Sequence, residues 1–232
     1  MFNQADLSLP ESFKNVVRLF PLPNVVLFPG VVQALHIFEP RYRTLMEDSL
    51  AEDQLITMAY VKPAWEQSSN ADPEIADTVC IGKILSHSQL PDGRYNLFLV
   101  GTKRAQITQE LDVETPYRMA QVQLVKDRNV GGADQMALRQ QLVMEFRKLA
   151  ALHDEWNHDA LDQFLSDDLP LGQLIDMIGY ASGAEPAEQQ LLLENEEVGR
   201  RGYLVLEILR RKIREKKSFM KRPDFPPDFS LN

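Results

Sequence analysis

Ser182 lies in Tyr180-Ala181-Ser182-Gly183-Ala184, and a hydrolase serine on a strand-to-helix elbow needs glycine two positions before it and two after. Neither position is glycine here, so Ser182 reads as part of a helix-ending turn and no nucleophile is assigned. A phosphate-binding loop needs Gly, four residues, then Gly-Lys-Ser/Thr, so that backbone N–H groups surround the phosphates. Gly101-Thr102-Lys103 keeps only a fragment of that pattern and reads as a turn between strands. The histidines are His36, His87, His153 and His158. His153 and His158 would point about 140° apart on one helix, and Asp154, Glu155 and Asp159 could join them only if the chain broke there. No catalytic residue, cofactor or metal is therefore expected. His36, in a strand, is expected to hold a local hydrogen bond.

Charged and aromatic residues offer a binding chemistry instead. Glu39 and Arg41 flank Pro40 at a helix start, where a carboxylate can accept free N–H groups and favours the positive end of the dipole. Arg94, Tyr95, Lys103 and Arg104 gather around a hairpin and the turn after it. With Tyr42 and Trp65 they form the candidate polypeptide-binding face, and solvated surface is the alternative for each alone.

Composition narrows the classes. The chain has 232 residues, 44% of them hydrophobic, enough for a core without staples. Cys80, the single cysteine, lies between Val79 and Ile81 and reads as a small buried hydrophobe in a reducing compartment. No run approaches a membrane helix, and Asp6, Glu11 and Lys14 do not resemble a secretory start. A cytoplasmic setting without membrane contact is expected. Residues 1–198 carry 15 Lys and Arg against 30 Asp and Glu, whereas 199–222 carry 10 against 2. So acidic a body repels phosphate backbones, and the basic stretch lies on a helix whose C-terminal dipole it can complement. Nucleic acid is disfavoured as a partner.

The elements that must position these residues follow from periodicity. Pro21 and Pro23 suit strand starts or edges, Pro29-Gly30 a turn, and Pro40 the first position of a helix that continues with Tyr42, Leu45, Met46 and Leu50. Strands are expected near 13–20, 55–61, 79–87, 95–101, 104–108 and 118–125, with a hairpin at Asp92-Gly93. If that turn pairs its flanking strands, Tyr95, Leu97 and Leu99 share one face, and Arg94, Asn96 and Phe98 the other. Both faces are then partly apolar, so a helix or a partner must cover the outer one. After 129–133 the period becomes helical. Helices are expected around Leu138–Ala150, over Leu169–Tyr180, from Pro186 and over about 196–217.

Phe20-Pro-Leu-Pro-Asn-Val-Val-Leu-Phe-Pro-Gly30 followed by His36-Ile-Phe-Glu-Pro-Arg-Tyr42 resembles the signature of the Lon protease N-terminal domain. Ile81-Gly82-Lys83-Ile84, Pro91-Asp92-Gly93-Arg94-Tyr95, Gly101-Thr102-Lys103-Arg104, Pro116-Tyr117-Arg118 and Glu188–Glu194 fit the same pattern over residues 14–212. One departure is Ala34, where the pattern calls for proline. The resemblance implies an α+β fold, a PUA-like small β-barrel (13–128) followed by a helical bundle (133–217); the unpatterned residues 1–12 and 218–232 read as a mobile leader and a loose tail. It also implies a free-standing, non-catalytic domain that binds unfolded or partner polypeptides, since in the proteases this domain captures substrates and helps assemble the oligomer. The alternatives are an enzyme or a small-ligand-sensing adaptor with a site between the two halves.

Overall fold

The structure, a computed structural model, describes residues 8–63, 73–129, 131–153, 165 and 169–220. Six strands come first, with one helix among them: β1 (Val16–Leu22), β2 (Val32–Ile37), α1 (Pro40–Ala51), β3 (Leu55–Tyr60), β4 (Thr78–Gln89), β5 (Tyr95–Leu111) and β6 (Met119–Leu124). Helices α2 (Gly132–Ala150), α3 (Leu171–Ala181), α4 (Pro186–Glu194) and α5 (Val198–Met220) follow. This is the expected α+β architecture.

The strand order is β2-β5-β4-β3-β1-β6, and a further β5–β6 pairing closes five of the strands into a barrel. Closure depends on the length of β5. One of its edges runs along β4, while the other pairs with β2 through Tyr95–Val100 and with β6 through Ala105–Leu111. Among the described strands only β1 and β3 pair in parallel. Pro21 is tolerated because β6 pairs with β1 only at Val16–Arg18, leaving Pro21 on a locally free side.

Two expectations at β5 are corrected. Gly101-Thr102-Lys103 is not a turn, and Arg104–Thr108 is not a separate strand, because β5 passes through both. The register slips by one residue here: Ile81 faces Lys103 and Gly82 faces Gly101. Thr102 is thus the extra residue of a bulge, its hydroxyl donating to the Ile81 carbonyl at 2.8 Å. Glycine is required at 101 because a Cβ there would lie 2.1 Å from the Phe28 carbonyl oxygen.

Two apolar clusters follow from this layout. Val17, Leu19, Ala59, Val79, Ile81, Ala105 and Val122 fill the barrel. The larger cluster joins the outer wall, including Phe20, Met58 and Leu99, to α1 and to Leu142, Phe146, Ile175 and Leu209 of the helices. β3 is accordingly buried at all six residues, as a strand covered on both faces must be. Leu9 and Phe13, both partly buried, pack against the barrel cluster. The expected helical signals hold: Pro40 and Pro186 occupy first turns, and the chain leaves α3 at Ser182 and Gly183, the latter at φ +69°.

Candidate functional site

The polypeptide-binding residues expected from the sequence do not form one face. Arg94 is exposed at the start of β5, next to a hairpin whose Gly93 has φ +84°. Lys103 is exposed nine residues along the same strand, about 30 Å away at the strand rise. Arg104, Tyr42 and Tyr95 are buried at 4%, 6% and 5% exposure, so an exposed role for these three is corrected. Tyr42 meets Phe20 edge to face at 4.6 Å, with the Arg41 guanidinium 4.7 Å from its ring centre. Trp65 and His158 lie outside the described residues. Glu39 makes no side-chain cap; its carboxylate instead holds Arg41 at 3.0 Å.

Arg104 belongs to a seam between barrel and helices. Its Nη2 donates to Asp176 Oδ1 on α3 at 2.5 Å and its Nε to the Leu193 carbonyl at 3.0 Å. Arg201 on α5 closes the cluster, donating to Asp127 Oδ2 at 2.8 Å and to the Asn195 carbonyl at 2.6 Å. Its Nε lies 3.0 Å from Asp176 as an ion pair without hydrogen-bond alignment. Burial raises the Asp176 carboxyl above the usual carboxylate range, against the pull of both guanidiniums. Burial likewise pushes the Cys80 thiol up to about 12. A cleft of about 440 Å³ opens above this seam. Both carboxylates are committed to arginines, so the cluster holds the halves together and offers no free base.

The accessible chemistry lies at β2. Among the described strands it pairs with β5 alone, leaving an open edge. Gly101 N–H donates to the Val31 carbonyl at 2.9 Å. Alternation then turns the backbone groups of Gln33, Leu35 and Ile37 toward β5 and those of Val32, Ala34 and His36 outward. The Gln33 side-chain amide, at 3.0 Å, satisfies the outward Ala34 carbonyl.

Phe98 sits opposite Ala34 in the register and is 52% exposed; Phe38, just past the strand, is 60% exposed. The two-faced hairpin read from the sequence is therefore present, with Tyr95, Leu97 and Leu99 inward and Phe98 outward and uncovered among the described residues. His36 holds its expected local bond: Nδ1 donates to Asn96 Oδ1 at 2.7 Å while Nε2 faces Arg94 Nη1 at 3.3 Å, and one neutral tautomer satisfies both. Arg94 also pairs with Asp92 at 2.7 Å. Sequence reasoning singled out Arg94 but left Phe38 and the β2 edge unassigned, because an edge is a property of strand order.

No group of three or more His, Cys, Asp or Glu side chains among the described residues is placed to hold a metal ion. No helix among them is long and apolar enough to cross a membrane. Ser182 is engaged at the end of α3, donating to the Gly179 carbonyl at 2.7 Å and accepting from Ala184 N–H.

Residues 16–211 match the family model of the ATP-dependent protease La (LON) substrate-binding domain. The chain is 30% identical over 206 residues to a Lon protease of Anaeromyxobacter dehalogenans, a match covering 87% of this chain and 24% of that protein. It is 25% identical over 198 residues to a Lon protease of Dictyoglomus thermophilum, covering 85% of this chain and again 24% of the relative. The matched stretch is thus about a quarter of the length of these curated relatives. Among solved structures, the N-terminal domain of Mycobacterium avium complex Lon protease superposes with a TM-score of 0.67 at 19% identity, covering 84% of this chain and 98% of that one. A Lon N-terminal domain protein from Xanthomonas campestris gives 0.60 at 18%, covering 83% and 97%. At such identities these structures establish a shared fold.

Proposed function

Since this chain belongs to the ATP-dependent protease La (LON) substrate-binding domain family, we propose that it binds unfolded or partner polypeptides as extended segments and performs no chemistry on them. The observation that carries this reading is the open edge of β2 beside the exposed rings of Phe38 and Phe98. An extended segment adding to that edge gains main-chain hydrogen bonds with little sequence demand, and the two rings receive its alternate side chains. Arg94 borders this surface, and the buried Tyr95 lies opposite Ile37 of β2 in the register. Proline at 34 would remove one of the outward donors, so Ala34 keeps that N–H available at the edge. The setting we propose is cytoplasmic protein quality control.

Ala34→Pro tests the reading, because the lost N–H points away from β5 and the ladder stays intact. In combination with Phe98→Ser it should leave the melting temperature nearly unchanged and weaken binding of unfolded, carboxymethylated casein by about tenfold. Casein and ATP should remain intact throughout. Undiminished casein affinity in a folded double variant would remove β2 from consideration.

A further inference from the structure

A second surface lies between two helices, where α4 and α5 enclose an open groove of about 650 Å³. Its floor is apolar: Leu191, 61% exposed, stands beside Leu192, Leu204 and Ile208. Its rim is predominantly cationic, with four arginines against the carboxylates of Glu188 and Glu207. Arg211 is already held by Glu188 through two hydrogen bonds of 2.6 and 2.7 Å. Arg200, Arg210 and Arg214 are exposed and have no carboxylate partner among the described residues. From Arg200 to Arg214 the helix rises about 21 Å, so the charges span the groove lengthwise.

We propose that this groove binds an acidic amphipathic segment of a partner protein, its apolar side chains on the leucine floor and its carboxylates on the three free arginines. Charge complementarity selects the occupant. Three unpaired guanidiniums around an apolar floor match carboxylates spaced along an apolar stripe, and arginine pairs with carboxylates through two parallel hydrogen bonds. Nucleic acid would satisfy the arginines but leave Leu191 uncovered, and residues 1–198, with 30 acidic against 15 basic side chains, repel a phosphate backbone. The proposal does not depend on the β2 edge, which lies on the barrel.

Selection on the full-length protein from a random display library of peptides about 15 residues long tests it. The enriched peptides should combine Asp and Glu with Leu, Ile, Phe or Trp at helical spacing. Arg210→Glu with Arg214→Glu should weaken a selected peptide by about tenfold or more. Leu191→Ser should weaken it several-fold, and Ala34→Pro should leave it unchanged. Arg210→Gln with Arg214→Gln provides a milder pair should charge reversal disturb folding. Failure to enrich acidic sequences, or equal affinity in both arginine variants, overturns the proposal. So does tight binding of a single-stranded oligonucleotide that competes with the peptide and is lost in the same variants. Concentration-dependent self-association abolished by those substitutions would assign the groove to a second copy and overturn it as well.

Discussion

Arg200 and Arg201 are adjacent on α5, yet one faces open solvent and the other is fully buried. Successive helical residues point about 100° apart, enough to put one on the groove and the next in the seam. Arg201 can be there because Asp127, Asp176 and the Asn195 carbonyl receive it. A guanidinium withdrawn from water without such partners would cost several kcal/mol. Arg200 keeps its hydration and remains available to a ligand. The same side chain is therefore a fastener in one region and a recognition group in the other, and its neighbours decide which.

The strongest way to break this contrast is to strip the seam of its central acid. Asp176→Ala leaves Arg104 and Arg201 buried around a missing partner and should destabilise the protein by about 3–5 kcal/mol in denaturant unfolding. Cys80, buried at the same seam, offers a second measurement: its thiol should resist a disulfide reagent at neutral pH in the native protein and react faster in the variant. Replacing Arg104, Asp176 and Arg201 together by Met, Leu and Met, with Asp127→Asn to neutralise the acid that both arginines also hold, should recover most of the loss, because no uncompensated charge remains. We propose that the halves, 13–128 and 133–217, unfold in one transition, since one apolar cluster spans both. A loss below about 1 kcal/mol for Asp176→Ala would place the fastening elsewhere.

This seam also marks where the sequence was hard to read. Prolines, the Asp92-Gly93 hairpin and the helical periods after residue 133 are local signals, and they locate most strands, the hairpin turn and most helix ends, although the single strand β5 reads as two. Gly101 reads as a turn residue because glycine is common in turns; its actual requirement, the close approach of the Phe28 carbonyl, comes from a residue 73 positions away. Arg104 reads as a surface residue because arginine usually is one. Its acid, Asp176, is 72 residues distant, on a helix whose packing no local pattern discloses. The β2 edge and the α4–α5 groove are likewise products of topology. Phe98 was the exception: strand alternation alone put it on the outer face.

A smaller effect comes from Arg211, the groove arginine that has carboxylate partners among the described residues. The Glu188 carboxyl is held below its ordinary value of 4.5, chiefly by hydrogen bonds from Arg211. A depressed folded pKa contributes stability that is present above the ordinary value and is lost as pH falls through the folded one. Both side chains are partly solvated, so the pair should contribute less than about 1 kcal/mol at neutral pH. Thermal melts of the wild type and Glu188→Gln should therefore differ modestly at pH 7 and converge as pH drops below about 4.5. A difference that persists in acid would mean that packing between α4 and α5, and not the ion pair, carries the effect.

The smallest expected change in stability is at Arg200. Replacing it by alanine removes a solvated side chain with no partner among the described residues, so the unfolding free energy should stay within about 0.5 kcal/mol of the wild type. Arg201→Ala, one position along, should instead cost several kcal/mol by leaving Asp127 and Asp176 short of a buried cation. Alanine suits a helix interior better than arginine by only a small margin, so propensity does not separate the two variants. Comparing them by chemical denaturation isolates environment from residue type. If Arg200→Ala were as damaging as Arg201→Ala, the exposed arginines would be structural, and the groove would lose its claim to a ligand. If stability is kept while affinity for a selected acidic peptide falls, the rim charge is held for binding and the buried one for the fold.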